Sequence, residues 1–328
     1  MIEGAICFPV GRSRQPLAGS AELPPTPCSL YSVSMLRSIR ITLEMIKWEH
    51  SIFALPFALT GAMLAAHAYP PAAHISWLAA KLGWIVLCMI SARSAAMAFN
   101  RWADADLDAA NPRTRMRAIP AGMLTRNFAA GFTLIMSALF LFGAWRLNRL
   151  TLILSPVVLA VLFLYSYTKR FTRWSHLFLG LALGIAPTGA WIAIRGSLDP
   201  RILVLTLAVL FWVAGFDVLY ACQDEAHDRS TGLYSIPATL GLAAAFWIAR
   251  TMHLVMLALL VWLAILFQLG PIAAVGIVAV AALLFWEHTL VSPRDLSRLN
   301  AAFFTMNGVI AVIFFVFVAA DLFIRHHA

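Results

Sequence analysis

Long apolar runs alternate with short polar connectors along most of this chain. Runs able to cross a bilayer, which takes about 20 residues, recur at 50–68, 78–100, 128–147, 150–167, 176–195, 202–222, 243–267, 271–288 and 302–324. The pattern predicts an all-α membrane protein with nine spans. Only "RLNRL" separates the third run from the fourth, and only Gly270 and Pro271 separate the seventh from the eighth, so eight or ten spans would fit the same pattern. Ahead of the first run the periodicity disappears. Residues 1–34, with "GRSRQPLAGSAELPPTPCSL", present no repeating apolar face and are expected to be disordered. They hold no apolar core of a signal peptide, which speaks against secretion, and Met35 is the expected start of translation. Residues 35–50 read as an amphipathic interfacial helix, with Arg37, Arg40 and Lys47 available to anionic head groups, or as a simple topogenic flank. The polytopic domain is then 51–328.

Composition agrees with the pattern. Hydrophobic residues make up 62% of the chain, charged residues 12%, and the mean hydropathy is +0.84, too apolar for a soluble globule. A net charge of +9 would suit a nucleic-acid partner, but the basic residues lie in alternate loops rather than along one stripe, which excludes that reading. With the N-terminus inside, inner segments hold 14 Lys and Arg and outer segments 5, predicting N-in, C-out topology in a bacterial-type cytoplasmic membrane. Cys7, Cys28, Cys88 and Cys222 form no CxxC pair, so neither a disulfide framework nor a zinc site is indicated.

The chemistry collects at two inner span ends. At about 100° per residue, Arg93, Asn100, Asp104 and Asp108 fall within about 80° of one face, while Asp106 points away. At the end of the sixth run, in "FDVLYACQDEAHDRSTGLYSIP", Asp217, Tyr220, Asp224 and Asp228 do the same, with Glu225 and His227 off the stripe. Asp108 and Asp228 are 120 residues and four spans apart, a faint trace of duplication. One such set alone could be an ordinary solvated helix end. Two sets on one side of the membrane, each with four-residue aspartate spacing, point to a counter-cation, because crowded carboxylates at membrane depth oppose one another's ionisation. An all-oxygen set without His or Cys favours Mg2+, which takes a few carboxylates plus substrate phosphates. Facing pairs would clamp a diphosphate, with Lys169, Arg170 and the loop arginines completing neutralisation.

These residues resemble the UbiA superfamily of membrane prenyltransferases. Its NxxxDxxxD motif is matched by Asn100, Asp104 and Asp108, and its second motif, in a YxxQDxxxD context, by Tyr220, Gln223, Asp224 and Asp228. "KWEHSIFALPFAL" (47–59), "RSAAMAFNRWAD" (93–104), "NPRTRMRAIPAG" (111–122), "YSYTKRFT" (165–172) and "GLYSIP" (232–237) are similar to the branch that prenylates aromatic acids in quinone synthesis. The resemblance covers roughly 40–325. It implies nine helices around a central cavity, a cytoplasmic cap, and a lateral opening for the prenyl tail. It also implies transfer from a polyprenyl diphosphate to an acid such as 4-hydroxybenzoate for ubiquinone or menaquinone, usually ortho to the hydroxyl. On that scheme Asp104, Asp108, Asp224 and Asp228 hold Mg2+ and are catalytic. Arg93, Lys169 and Arg170 pair with phosphate, Asn100, Asp217 and Gln223 help bind substrate, and the Tyr220 ring faces the allylic cation. Arg101 stands where relatives often carry an acid, and Tyr234 where they often carry His, Lys or Arg.

The runner-up acceptor is 1,4-dihydroxy-6-naphthoate, of the futalosine route. A cation-coupled transporter is the reading from another class, but it expects carboxylates nearer the bilayer centre. His50 reads better as an interface marker than as a substrate contact, and Asn300 and Asn307 as interhelical hydrogen-bond formers. The small residues of "LGLALGIAPTGAW" (179–191) predict close helix approach, with Pro187 a candidate kink.

Overall fold

A computed structural model describes residues 39–46, 51–68, 75–299 and 305–327. The expected disordered segment, both ends of the expected interfacial helix (35–38 and 47–50, the latter with His50) and Asn300 lie outside these residues; 39–46 are helical. Ile41–Ala328 pack as one unit, and it contains all the long apolar helices.

The helices in chain order are α1 (Ser51–Ala68), α2 (Ile75–Ala103), α3 (Ala105–Ala110), α4 (Arg126–Leu147), α5 (Arg149–Thr168) and α6 (Ser175–Arg195). They continue with α7 (Ile202–Ala221), α8 (Glu225–Thr231), α9 (Ile236–Leu240), α10 (Leu242–Leu266), α11 (Pro271–Leu290) and α12 (Asn307–His327). No strand occurs among the described residues beyond an isolated bridge between Ser292 and Asp295. Eight described helices are long and apolar enough to cross a membrane, and they start and stop close to the last eight apolar runs. The first run differs: its apolar stretch Phe53–Ala68 falls short of a full span, so the expected count of nine is not reached on length and composition.

The two connections that left the count open resolve as breaks. Asn148 alone joins α4 to α5. Its extended backbone turns the chain, its Oδ1 accepts from Thr151 N at 2.9 Å to cap α5, and its amide donates to Ile192 O at 2.7 Å on α6. Between α10 and α11, Gln268 takes φ +51°, and the α11 N-terminus is capped from another helix. Buried Asp321 of α12 accepts from Gly270 N at 2.7 Å and Ala273 N at 3.3 Å, a carboxylate where orphan N–H groups and the positive helix end favour one.

α7 is the central helix, with Trp212, Val213 and Ala214 wholly buried, packed between α6 and α10. α1 packs on α6 and α12, and α2 on α4. Small residues allow the closest crossings, as their run predicts: a Cβ on Gly180 would collide with the Leu210 carbonyl of α7, and one on Gly61 with the Pro187 backbone. α6 stays helical through Pro187. The short helices α3, α8 and α9 gather with the loop 111–125 at one end, and this cap carries the polar chemistry.

Candidate functional site

The two aspartate sets enter the cap by one backbone device. α2 stops at Ala103, Asp104 adopts φ −97°, ψ 7°, and α3 resumes; α7 ends in a single 3-10 turn, Asp224 adopts φ −100°, ψ 4°, and α8 follows. Both lie in the sparsely used bridge region, where many active-site residues are found. Hydrogen bonds from Asp104 N to Asn100 O (2.9 Å) and from Asp108 N to Asp104 O (2.8 Å) keep the helical phase across the first junction, so the angular reading survives the break.

On the first wall, Asp104 is buried and held by Lys169 Nζ at 2.7 Å, Arg170 Nη2 at 3.3 Å and Asn100 Nδ2 at 3.1 Å. Buried Asp108 accepts from Arg117 Nη1 at 2.7 Å through Oδ1, while Arg101 Nη1 lies 3.8 Å from Oδ2. Cations from three segments thus surround these two buried carboxylates. Asp106 is exposed and pairs with Arg126, away from the site.

The second wall is tied to the first by the loop after α3. Asn111 accepts from Arg113 N at 2.9 Å through Oδ1 and donates to Asp224 at 3.2 Å through Nδ2. Arg113 then grips both Asp224 oxygens, Nε at 2.8 Å and Nη2 at 2.5 Å, and lies 5.6 Å from the Tyr220 ring centre. Burial works against the Arg113 charge, but the hydrogen bonds and charge of Asp224 outweigh it and raise the guanidinium above its ordinary range. Gly232, at φ +71°, ends α8, and Tyr234 N donates to Lys169 O at 2.8 Å. Lys169 therefore holds the first wall with its ammonium and the second with its carbonyl.

Between the walls lies a polar cavity of about 740 Å3, lined by Arg93, Asn100, Asp104, Asp108, Lys169, Asp217, Tyr220, Asp224 and Asp228, nine of the residues singled out in the sequence. Arg170 acts from behind, bonding Asp104 and the Ala103 carbonyl and covering Tyr167. Gln223 is not brought in: its amide turns back to the Tyr220 carbonyl at 3.4 Å, because it sits about 100° off the aspartate stripe. Asp217 is engaged by His176 of α6 at 2.7 Å. The sequence marks the stretch 111–122 and its arginines as a group, but nothing in it pairs Asn111 and Arg113 with Asp224 or Arg117 with Asp108, since loop residues have no periodicity to betray their direction, and His176, a single histidine on an apolar helix, stands out from nothing. A second, apolar cavity of about 350 Å3 opens between α2, α4, α5 and α6. Both cavities touch Arg93, Met97, Asn100, Tyr165, Leu179 and Leu183, which form a shared neck.

The residues fit a hard divalent cation. The four aspartates of the two stripes offer only oxygen, and Asp108 Oδ2 is buried without a hydrogen-bond partner. Among the described residues no three His, Cys, Asp or Glu side chains converge as a ready metal cluster.

Comparison with known proteins identifies the family and the fold. The model of the UbiA prenyltransferase family matches residues 54–317. A 4-hydroxybenzoate octaprenyltransferase of Cupriavidus necator is 32% identical over 255 residues, covering 77% of this chain and 86% of that protein. One of Nitrosomonas europaea is 34% identical over 235 residues, covering 70% and 78%. Among solved structures, the apo UbiA homolog of Aeropyrum pernix K1 superposes with a TM-score of 0.74 at 33% identity, covering 83% of this chain and 98% of that one. A UbiA homolog of Archaeoglobus fulgidus bound to DMAPP and Mg2+ shares the fold, with a TM-score of 0.67 at 17% identity over 86% and 99%.

Proposed function

From the premise that this chain belongs to the UbiA prenyltransferase family and is a multi-pass membrane polyprenyltransferase, we propose that it moves a polyprenyl group from a polyprenyl diphosphate onto an aromatic acid of the 4-hydroxybenzoate type. One observation carries this reading: an acid-lined polar cavity meets an apolar one at a common neck. A substrate with a charged head and a hydrocarbon tail matches that junction, and the reactive allylic carbon then lies at the neck. A transport path would need carboxylates strung through the bilayer, whereas the two aspartate pairs, Asp104 with Asp108 and Asp224 with Asp228, are gathered at the cap end.

Asp104, Asp108, Asp224 and Asp228 would hold magnesium, which supplies Lewis-acid stabilisation of charge growing on the leaving diphosphate. Lys169, Arg113 and Arg117, now spent on those carboxylates, are within the same cavity and pair with phosphate oxygens when the head group arrives. Arg93 and Asn100, at the neck, orient the donor. Tyr220 offers a ring face to the allylic cation, and the apolar lining excludes water that would quench it. The cap end is assigned to the cytoplasm by the excess of Lys and Arg in the segments on that side.

The test is an assay of membranes carrying the protein, with magnesium, a radiolabelled polyprenyl diphosphate, and either 4-hydroxybenzoate or 1,4-dihydroxy-6-naphthoate. Prenylated 4-hydroxybenzoate is expected, and none with Asp104→Ala or without divalent cation. Product from the naphthoate alone would move the chain to that acceptor; no product with either would overturn the reading.

A further inference from the structure

His176 and Asp217 have no place in the diphosphate clamp. Asp217 lies on α7 two helical turns before Asp224, about 10 Å toward the membrane interior. Its Oδ2 is 2.7 Å from His176 Nδ1. The other ring nitrogen, Nε2, is 3.4 Å from Ile236 N, and a backbone N–H can only donate. The tautomer follows: Nε2 accepts, the ring proton sits on Nδ1, and it is donated to Asp217. The orientation of the imidazole is fixed from both sides.

Five aspartates line the polar cavity. Asp104, Asp108 and Asp224 are bonded by ammonium or guanidinium groups, and Asp228, bonded to the Ser235 side chain, is one of the four aspartates proposed above to hold magnesium. A carboxylate committed to a cation is a poor proton acceptor. Asp217 is bonded instead by an imidazole, that of His176. It is also the more open end of its pair, with 17% of its side chain exposed against 3% for His176. His176 shares its helical face with Leu179 and Leu183, three and seven residues on, and both line the neck. The dyad therefore borders the place where tail and head meet.

We propose that Asp217 is the catalytic base that removes the ring proton of the aromatic acceptor, with His176 as its positioning residue. This rests on the prenyl transfer proposed for the chain and names a residue for its last step. The allylic C–O bond breaks and diphosphate leaves with the electron pair. The ring carbon forms the new C–C bond and momentarily bears both the prenyl group and hydrogen. Its C–H bond then breaks, the electrons restore the aromatic ring, and the proton passes to the Asp217 carboxylate. His176 keeps that carboxylate turned to the cavity.

The experiment compares the purified full chain with Asp217→Asn, Asp217→Glu and His176→Gln, using farnesyl diphosphate, magnesium, and 4-hydroxybenzoate either unlabelled or deuterated at both positions ortho to the hydroxyl. Wild type is expected to turn over both acceptors at nearly equal rates. Asp217→Asn should lose about 10²- to 10⁴-fold in kcat, the range for a general base, keep its affinity for farnesyl diphosphate, and now react more slowly with the deuterated acceptor. His176→Gln should show the same isotope effect with a smaller loss, and Asp217→Glu should recover part of the rate. A merely structural dyad would lower rate or yield without creating an isotope effect. Wild-type rates in Asp217→Asn, or a slow variant indifferent to deuterium, would overturn the proposal while active wild type leaves the transfer reading standing. An inactive wild type would instead overturn that reading.

Discussion

Asp104 and Asp224 occupy equivalent junctions with nearly the same backbone angles, yet 3% of the first side chain is exposed and 18% of the second. The first is gripped by Lys169 and Arg170 at the foot of α5, elements anchored in the helical bundle. The second is gripped by Asn111 and Arg113, which belong to a loop. The difference teaches a division of labour. The first wall is held from within the helical bundle; the second is assembled across the cavity by the loop.

Breaking the first wall has the largest expected effect. Asp104→Ala removes the carboxylate shared by two cations, and turnover of labelled polyprenyl diphosphate should fall at least 10²- to 10³-fold, as for loss of a preorganised charge partner, with a lower thermal midpoint in detergent. Arg113→Ala should act on the assembled wall and cost less, raising KM for the diphosphate by about tenfold, the scale of one charge-assisted hydrogen bond, with kcat reduced less. If Arg113→Ala proved as severe as Asp104→Ala, the contrast between the walls would collapse. Gly232→Ala places a Cβ at φ +71° and should destabilise by about 1 kcal/mol. Its melting shift should be small, and activity should fall only where the end of α8 is needed to hold Asp228. Asp106→Ala should change neither turnover nor midpoint, because the side chain is exposed and its partner Arg126 stands outside the cavity.

Much of this architecture is legible in the sequence, for identifiable reasons. Apolar runs locate helices in a bilayer because the solvent forbids unpaired backbone, so the last eight described spans begin and end close to their runs. Helical phase picks out Asp104 and Asp108 and sets Asp106 aside, since the bonds from Asp104 N and Asp108 N carry the phase through the break. Gln223 is drawn in by its motif although its phase points elsewhere, and the structure follows the phase. The partners stay hidden. Arg113 reaches Asp224 over 111 residues of separation, and His176 reaches Asp217 between two helices whose register no single-helix pattern specifies.

The neck shared by the two cavities has a further consequence for how the protein experiences concentration. One side of it opens among apolar helices and the other into the polar cap. On the proposed reaction, the chain meets its donor as a mole fraction of the bilayer and its acceptor as a molarity in water. Adding inert lipid at constant volume should then starve it of one substrate and leave the supply of the other untouched.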